Sequence, residues 1–230
     1  MSKAAQDSVL QVRDLNVSFD TPDGQVDAVR GVNLHINRGE CLGIVGESGS
    51  GKSQTFMTAM GLLANNVRAT GDVSFHGKSI LGMPLQQLNK IRGRYMSMIF
   101  QDPLTSLTPH MTVLDQMMAV LELHTDVRGD AAAKKSLEWL ERVQISDAKR
   151  RLDQYPHELS GGMRQRVMIA MSMLCEPELL IADEPTTALD VTVQAEILDL
   201  LDQLKKESNT AIALITHDMG VVARMCDRIR

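Results

Sequence analysis

The 230-residue sequence predicts an α/β fold built around a parallel sheet, on three observations. A glycine-rich loop ending in lysine joins an apolar strand to a helix. A second apolar strand ends in two adjacent carboxylates. Around them, short β-type runs alternate with helical periodicity, which implies parallel strands joined by right-handed crossovers, with helices on both faces of the sheet.

Taken in order, positions 9–19 and 26–36 alternate apolar and polar residues on either side of Thr21-Pro22-Asp23-Gly24, which reads as an antiparallel hairpin or a pair of edge strands. Cys41-Leu42-Gly43-Ile44-Val45 is an apolar strand leading into Gly46-Glu47-Ser48-Gly49-Ser50-Gly51-Lys52-Ser53 and a helix-compatible stretch. Asp72-Val73-Ser74-Phe75, between Gly71 and Gly77, is a short strand that joins the antiparallel pair. Tyr95 to Phe100 reads as a strand that Pro103 stops, after Gln101-Asp102. From 112 to 151 apolar residues such as Leu137, Leu140 and Val143 fall at helical spacing, an inserted helical section. A helix at 161–174, a strand ending at Asp183, a helix at 193–206 and a strand at 211–216 complete the alternation. Ile229 opens a further strand, so the domain is expected to continue past Arg230.

Composition narrows the class. With 43% hydrophobic and 23% charged residues the chain suits one large globular domain or two small ones. A net charge of −5 lacks the field of a nucleic-acid binder, and Lys149-Arg150-Arg151 reads as a solvated face. Cys41, Cys175 and Cys226 are far apart in sequence with no Cys-x-x-Cys spacing, and read as buried free thiols in a reducing compartment rather than metal ligands. No apolar run approaches the roughly 20 residues of a membrane span. The first residues, Met1 to Asp7, have no signal-peptide core, so a cytoplasmic chain whose membrane link runs through a partner is expected.

The motifs carry the chemistry. In the loop at 46–53, glycines let backbone N–H groups crowd around phosphates, Lys52 adds a point charge and Ser53 offers a Mg²⁺ ligand. Asp183 and Glu184 stand at the C-terminal tip of a buried strand, the edge where open α/β sheets bind ligands. There Asp183 would reach Mg²⁺ and Glu184 would polarise the water attacking a γ-phosphate; the pair also suits the cap of the next helix. Leu159-Ser160-Gly161-Gly162-Met163-Arg164-Gln165-Arg166 precedes a helix with Ser160 as N-cap, and reads either as a cap with a flexible turn or as a second anion site. One nucleotide cannot occupy two distant helix N-termini, so the second reading calls for two chains facing head to tail.

These motifs resemble those of the ATP-binding cassette ATPases, the nucleotide-hydrolysing subunits of a transporter superfamily, and the resemblance covers nearly the whole chain. It implies a P-loop NTPase (RecA-like) core with an antiparallel β subdomain in 1–100 and 176–230, and a mainly helical subdomain carrying the signature in 101–175. Gln101 resembles the loop glutamine that touches Mg²⁺ and the attacking water. Ala188-Leu189-Asp190 resembles the loop that crosses the dimer interface, and His217 the switch histidine that holds the γ-phosphate. Phe19 stands where the family stacks an aromatic ring on adenine, although a Phe in an amphipathic strand is also a core residue. Met163 and the runs Ser97 to Pro103 and Gly161 to Ala170 are similar to those of oligopeptide and dipeptide importer ATPases.

The resemblance implies ATP and Mg²⁺ as ligands, with ATP held by Gly46, Ser48, Gly49, Ser50, Gly51, Lys52 and Ser53 of one chain and by Ser160, Gly161, Gly162 and Asp190 of another. It implies Ser53, Gln101 and Asp183 at the metal, and Glu184, His217, Lys52 and Gln101 in catalysis. Its expected partners are an identical or homologous second cassette, two transmembrane permease subunits and, indirectly, an extracytoplasmic substrate-binding protein, at the cytoplasmic face of the cell membrane. Met111, Met117 and Met118 suit either an adaptable groove for a permease segment or the helical core. An ATP-binding cassette protein acting on nucleic acid or ribosomes lacks support in a second cassette, coiled-coil insertion or basic arm. A non-hydrolysing regulatory module fits poorly with Lys52, Asp183, Glu184 and His217 together.

Overall fold

The computed structural model describes residues 8–47, 49–102, 106–187 and 189–230. Strands β1 (Ser8–Thr21), β2 (Gly24–Asn37), β4 (Val67–Phe75) and β5 (Lys78–Ser79) form an antiparallel sheet in the order β2-β1-β4-β5. Strands β3 (Cys41–Val45), β6 (Met96–Ile99), β7 (Leu179–Asp183), β8 (Ala211–Thr216) and β9 (Arg228–Ile229) form a second sheet, ordered β6-β7-β8-β3-β9 and parallel throughout. Helices among the described residues include α1 (Lys52–Ala59), α2 (Leu85–Leu88), α3 (Val113–His124), α4 (Gly129–Arg142), α5 (Ala148–Leu152), α6 (Gly161–Met173), α7 (Val191–Ser208) and α8 (Met219–Met225).

The parallel sheet is the middle layer. Every residue of β7 and β8 is buried, as expected for strands covered on both faces. Successive side chains point to opposite sides. Leu180, Ala182, Ile212, Leu214 and Cys41 enter one apolar cluster with the helical section, Trp139, Val167, Leu201 and Val221 among it. Leu179, Ile181, Ala213, Ile215, Leu42 and Ile44 enter a second, with the antiparallel sheet and Phe56 of α1.

The hairpin at the N-terminus is as expected, but β1 is not an edge strand: β2 pairs on one side and β4 on the other. β1 slips register against β4 between Arg13 and Asn16. Gly71, at φ +110°, faces that irregularity, where a Cβ would lie 2.4 Å from the Asp14 carbonyl oxygen, so only glycine fits. Two short helices have no clear trace in the periodicity: α2 of four residues, and α8, which starts because the Asp218 carboxylate accepts from the N–H groups of Gly220 and Val221. The expected strand at Ile229 is β9. Among the described residues no helix is long and apolar enough to cross a membrane.

Candidate functional site

β3 delivers the chain to the C-terminal edge of the parallel sheet, and the glycine-rich loop turns there into α1. Gly49 and Gly51 take φ of +81° and +86°, a region that L side chains rarely adopt. A Cβ at Gly51 would also lie 2.2 Å from the Ala28 carbonyl oxygen, so the loop is pressed against β2. The Lys52 ammonium folds back under the loop and donates to the carbonyl oxygens of Gly46 and Glu47, both at 2.7 Å. The opening turn of a helix presents N–H groups without intrahelical acceptors and a positive dipole end. A cleft of about 250 Å³ lies over it, lined by Gly49, Ser50, Gly51, Lys52 and Ser53, with Gln101 and Glu184 on its other wall. Ser48 lies outside the described residues.

The carboxylates close the cleft from β7. Asp183 is buried, and the Ser53 hydroxyl donates to its Oδ1 at 2.9 Å. Burial pushes the Asp183 carboxyl above its usual range, an effect that the Ser53 hydrogen bond opposes. A hydroxyl and a carboxylate in contact beside a phosphate loop are the hard oxygen donors that Mg²⁺ takes, so the residues present fit that ion.

Glu184 is held differently. Its backbone is left-handed, at φ +47°, and its N–H donates to the Ile215 carbonyl on β8 at 2.9 Å. A non-glycine residue in this region is uncommon and clusters at functional sites. Its Oε2 accepts from the Gln101 amide at 3.0 Å and from the Thr187 hydroxyl at 2.8 Å. His217 Nδ1 lies 3.3 Å from Oε1, while the imidazole remains 65% exposed at the end of β8. Three strand ends, those of β6, β7 and β8, therefore bring Gln101, Glu184 and His217 together. Thr187 and Ala28 are the members that sequence reasoning missed. Thr187 carries no periodic signal, although a hydroxyl three residues beyond a carboxylate is within local reach.

The remaining candidates lie apart from this cleft. Ser160 caps α6, its hydroxyl accepting from the Met163 N–H at 3.3 Å, and Gly161 is exposed with open space around it. A Cβ on Gly162 would meet Val193 of α7 at 3.0 Å, which ties the signature segment to the helix after Asp190. The Asp190 carboxylate caps α7, accepting from the N–H groups of Thr192 and Val193. Within this chain it therefore serves its own helix; Ala188 lies outside the described residues. Phe19 is half-buried and packs against the antiparallel-sheet core.

Of the three methionines, Met117 is fully buried and fills the helical core, Met118 packs against that core half-buried, and Met111 is half-buried, so burial decides the alternative for Met117 alone. Lys149 and Arg150 are exposed on α5, as a solvated face requires, whereas Arg151 is half-buried and its guanidinium donates to the Gln154 side-chain oxygen at 2.9 Å. Cys41 and Cys226, distant in sequence, come together in space with their sulfurs 3.8 Å apart.

Comparison with known proteins follows the same lines. The ABC transporter family model matches residues 29–187. The oligopeptide transport ATP-binding protein OppD of Escherichia coli (strain K12) is 56% identical over 229 residues, 100% of this chain and 68% of OppD. OppD of Salmonella typhimurium (strain LT2) is 58% identical over 221 residues, 96% of this chain and 66% of its own. The chain spans about two thirds of the length of these relatives. A dimeric ATP-binding cassette solved in a post-hydrolysis state with ADP and Pi superposes with a TM-score of 0.85 at 30% identity, covering 96% of this chain and 92% of that one.

Proposed function

The chain belongs to the ABC transporter family and is an ATP-binding, ATP-hydrolysing cassette; on that premise we propose that it powers the import of oligopeptides or dipeptides through membrane partners. The observation that carries the mechanism is the cluster at the sheet edge, where Ser53 meets Asp183 and Glu184 meets Gln101, Thr187 and His217.

Lys52 and the loop N–H groups bind the β- and γ-phosphates of ATP. Ser53 and Asp183, with Gln101 beside them, would hold Mg²⁺, which would supply positive charge against the phosphates. Glu184 takes the proton of the attacking water, a role for which its carboxylate is oriented by two donors on Oε2, leaving Oε1 toward His217. His217 and Lys52 stabilise the charge on the transferring phosphoryl group. Phe19 stacks on the adenine.

Ser160, Gly161 and Gly162 do not line the cleft of their own chain. We assign them, with Asp190, to the γ-phosphate side of a second cassette, so that two chains clamp two ATP molecules head to tail. Clamping moves two permease subunits at the cytoplasmic face of the cell membrane, which an extracytoplasmic binding protein supplies with peptide. The β-rich parts in 1–100 and 176–230 act as the nucleotide platform and 101–175 as the arm that carries the signature. The peptide assignment rests on the names of the relatives, OppD and, at 49% identity, the dipeptide transport protein DppD of Bacillus subtilis (strain 168).

The test is Mg²⁺-dependent ATP hydrolysis by the chain and by Glu184→Gln, with sizing in ATP. Removal of a general base lowers turnover by roughly 10²–10⁴-fold, and the variant accumulates as an ATP-bound dimer. Turnover near wild type in Glu184→Gln would sink the assignment of the base. Peptide-stimulated hydrolysis in the reconstituted transporter checks the substrate class separately.

A further inference from the structure

The helical face of the parallel sheet holds a feature that ATP hydrolysis does not use. Cys41 opens β3 and is fully buried; Cys226 is the C-cap of α8 and half-buried; their sulfurs lie 3.8 Å apart. Two further observations make this a built pair. The backbones are clamped together: the Asp227 N–H donates to the Cys41 carbonyl, and the Cys41 N–H donates to the Asp227 carboxylate, each at 2.8 Å. The Cys226 thiol also occupies the space that a side chain at position 43 would fill, since a Cβ on Gly43 would lie 2.9 Å from Cys226 Sγ. Residues 41 and 43 share one face of β3, so the glycine seats the second thiol beside the first.

We propose that Cys226 and Cys41 form a reversible disulfide when a hydroperoxide reaches Cys226. Cys226 is the accessible member and the one favoured as thiolate: the Cys41 S–H donates to it and holds its pKa below the usual thiol value, against the opposing effects of burial and Asp227 and with a smaller lowering by Lys205. Lys205 reaches into this corner, its ammonium 3.2 Å from the Asp227 carboxylate. Cys41, shielded from solvent, is held as the protonated thiol.

In the first step Cys226 sulfur attacks a peroxide oxygen and the O–O bond breaks. The departing alkoxide or hydroxide leaves with the thiol's proton as alcohol or water, and Cys226 becomes a sulfenic acid. In the second, Cys41 sulfur attacks Cys226 Sγ and the S–O bond breaks. Hydroxide leaves and combines with the Cys41 proton as water. Two thiols are oxidised by two electrons and one peroxide is reduced. The sulfurs must close by about 1.8 Å to reach the roughly 2.05 Å of a disulfide. That movement is small for a residue at the end of a seven-residue helix.

The bond would join the strand that feeds the phosphate loop to α8, whose N-cap Asp218 follows His217. Oxidation is therefore expected to slow ATP turnover several-fold. That readout alone rests on the hydrolase reading above; the thiol chemistry does not.

The test exposes the folded chain to hydrogen peroxide and counts free thiols. The expected result is one remaining thiol of three, Cys175, a loss of two hydrogens in intact mass, a peptide linking Cys41 to Cys226, and full reversal by a dithiol reductant. Closing a span of 185 residues restricts the unfolded chain, so the melting temperature rises by several degrees on oxidation. Cys41→Ala should stop at a sulfenic acid on Cys226, trapped by dimedone, and Cys175→Ala should change nothing. Three thiols surviving peroxide that oxidises exposed methionines, or Cys226 passing to sulfinic acid without coupling, would overturn the proposal. A disulfide that forms with no effect on turnover would reject its link to the nucleotide site.

Discussion

The phosphate-loop edge and the signature segment are both helix N-termini, yet they are finished to different degrees. At the first, Lys52, Ser53, Asp183, Glu184, Gln101 and His217 already contact one another or share one cleft. At the second, Ser160 and Asp190 cap their own helices, and Gly161 faces open space. The difference teaches that burial and mutual hydrogen bonds build a reacting site within one chain. The signature segment, self-satisfied and exposed, is completed in the proposed dimer by the nucleotide of the opposite cassette. The open space at Gly161 makes this comparison breakable without unfolding the protein.

Gly161→Glu should give the largest effect on that side. A Cβ at this position meets no atom within 4 Å, so the chain is expected to fold, and in the proposed dimer the new carboxylate would face the phosphates of the opposite cassette. Like charges juxtaposed at an interface cost several kcal/mol, a loss of roughly 10²-fold or more in turnover. Lys52→Ala should be equally inactive. Mixing the two variants sharpens the comparison, because a mixed dimer regains one site with an intact lysine and an intact signature. Hydrolysis recovered on mixing supports a site shared between chains. Full activity of Gly161→Glu alone would place the whole reaction within a single chain.

A smaller effect tests the finished half. Thr187→Val keeps the shape but removes the hydroxyl that donates to Glu184 Oε2. A hydrogen bond to a charged group is worth about 1.5–3 kcal/mol, so turnover should fall roughly tenfold or more while ATP affinity is unchanged. Thr187→Ser should restore it. A rise in KM with kcat unchanged would show that Thr187 serves binding rather than the orientation of Glu184.

Legibility in the sequence followed the same divide. The parallel strands were readable because burial on both faces writes itself as a continuous apolar run, as in Leu179 to Ala182 and Ala211 to Ile215. The glycines of the loop were readable because positive φ and close approach at Gly51 leave little choice of residue. Contacts across strand ends were not. Nothing in the period of β6, β7 and β8 says that Gln101 and His217 reach the same carboxylate, and Thr187 has no pattern at all. Helices α2 and α8 were too short for periodicity to register. The encounter of Cys41 with Cys226 is set by sheet order, which placed β9 beside β3.

The smallest effect concerns pH, and it separates Asp183 from Glu184 within the finished half. Burial raises the Asp183 pKa above its unfolded value, so the folded chain favours the protonated form. Without metal, the stability that this group contributes is present below the unfolded pKa and declines as pH rises through the folded one. Mg²⁺ requires the ionised form and must displace a proton over the same window. The stabilisation given by Mg²⁺ and ATP should therefore grow as pH rises through that window, and fade on acidification at a higher pH than an exposed aspartate would impose. Melting temperatures with and without Mg²⁺·ATP, from mildly acidic to neutral pH, measure this directly. Asp183→Asn should flatten the Mg²⁺-dependent part, whereas Glu184→Gln should leave its pH profile in place. If both variants flatten it alike, the two carboxylates hold the metal together, and the division of labour between them along this edge is wrong.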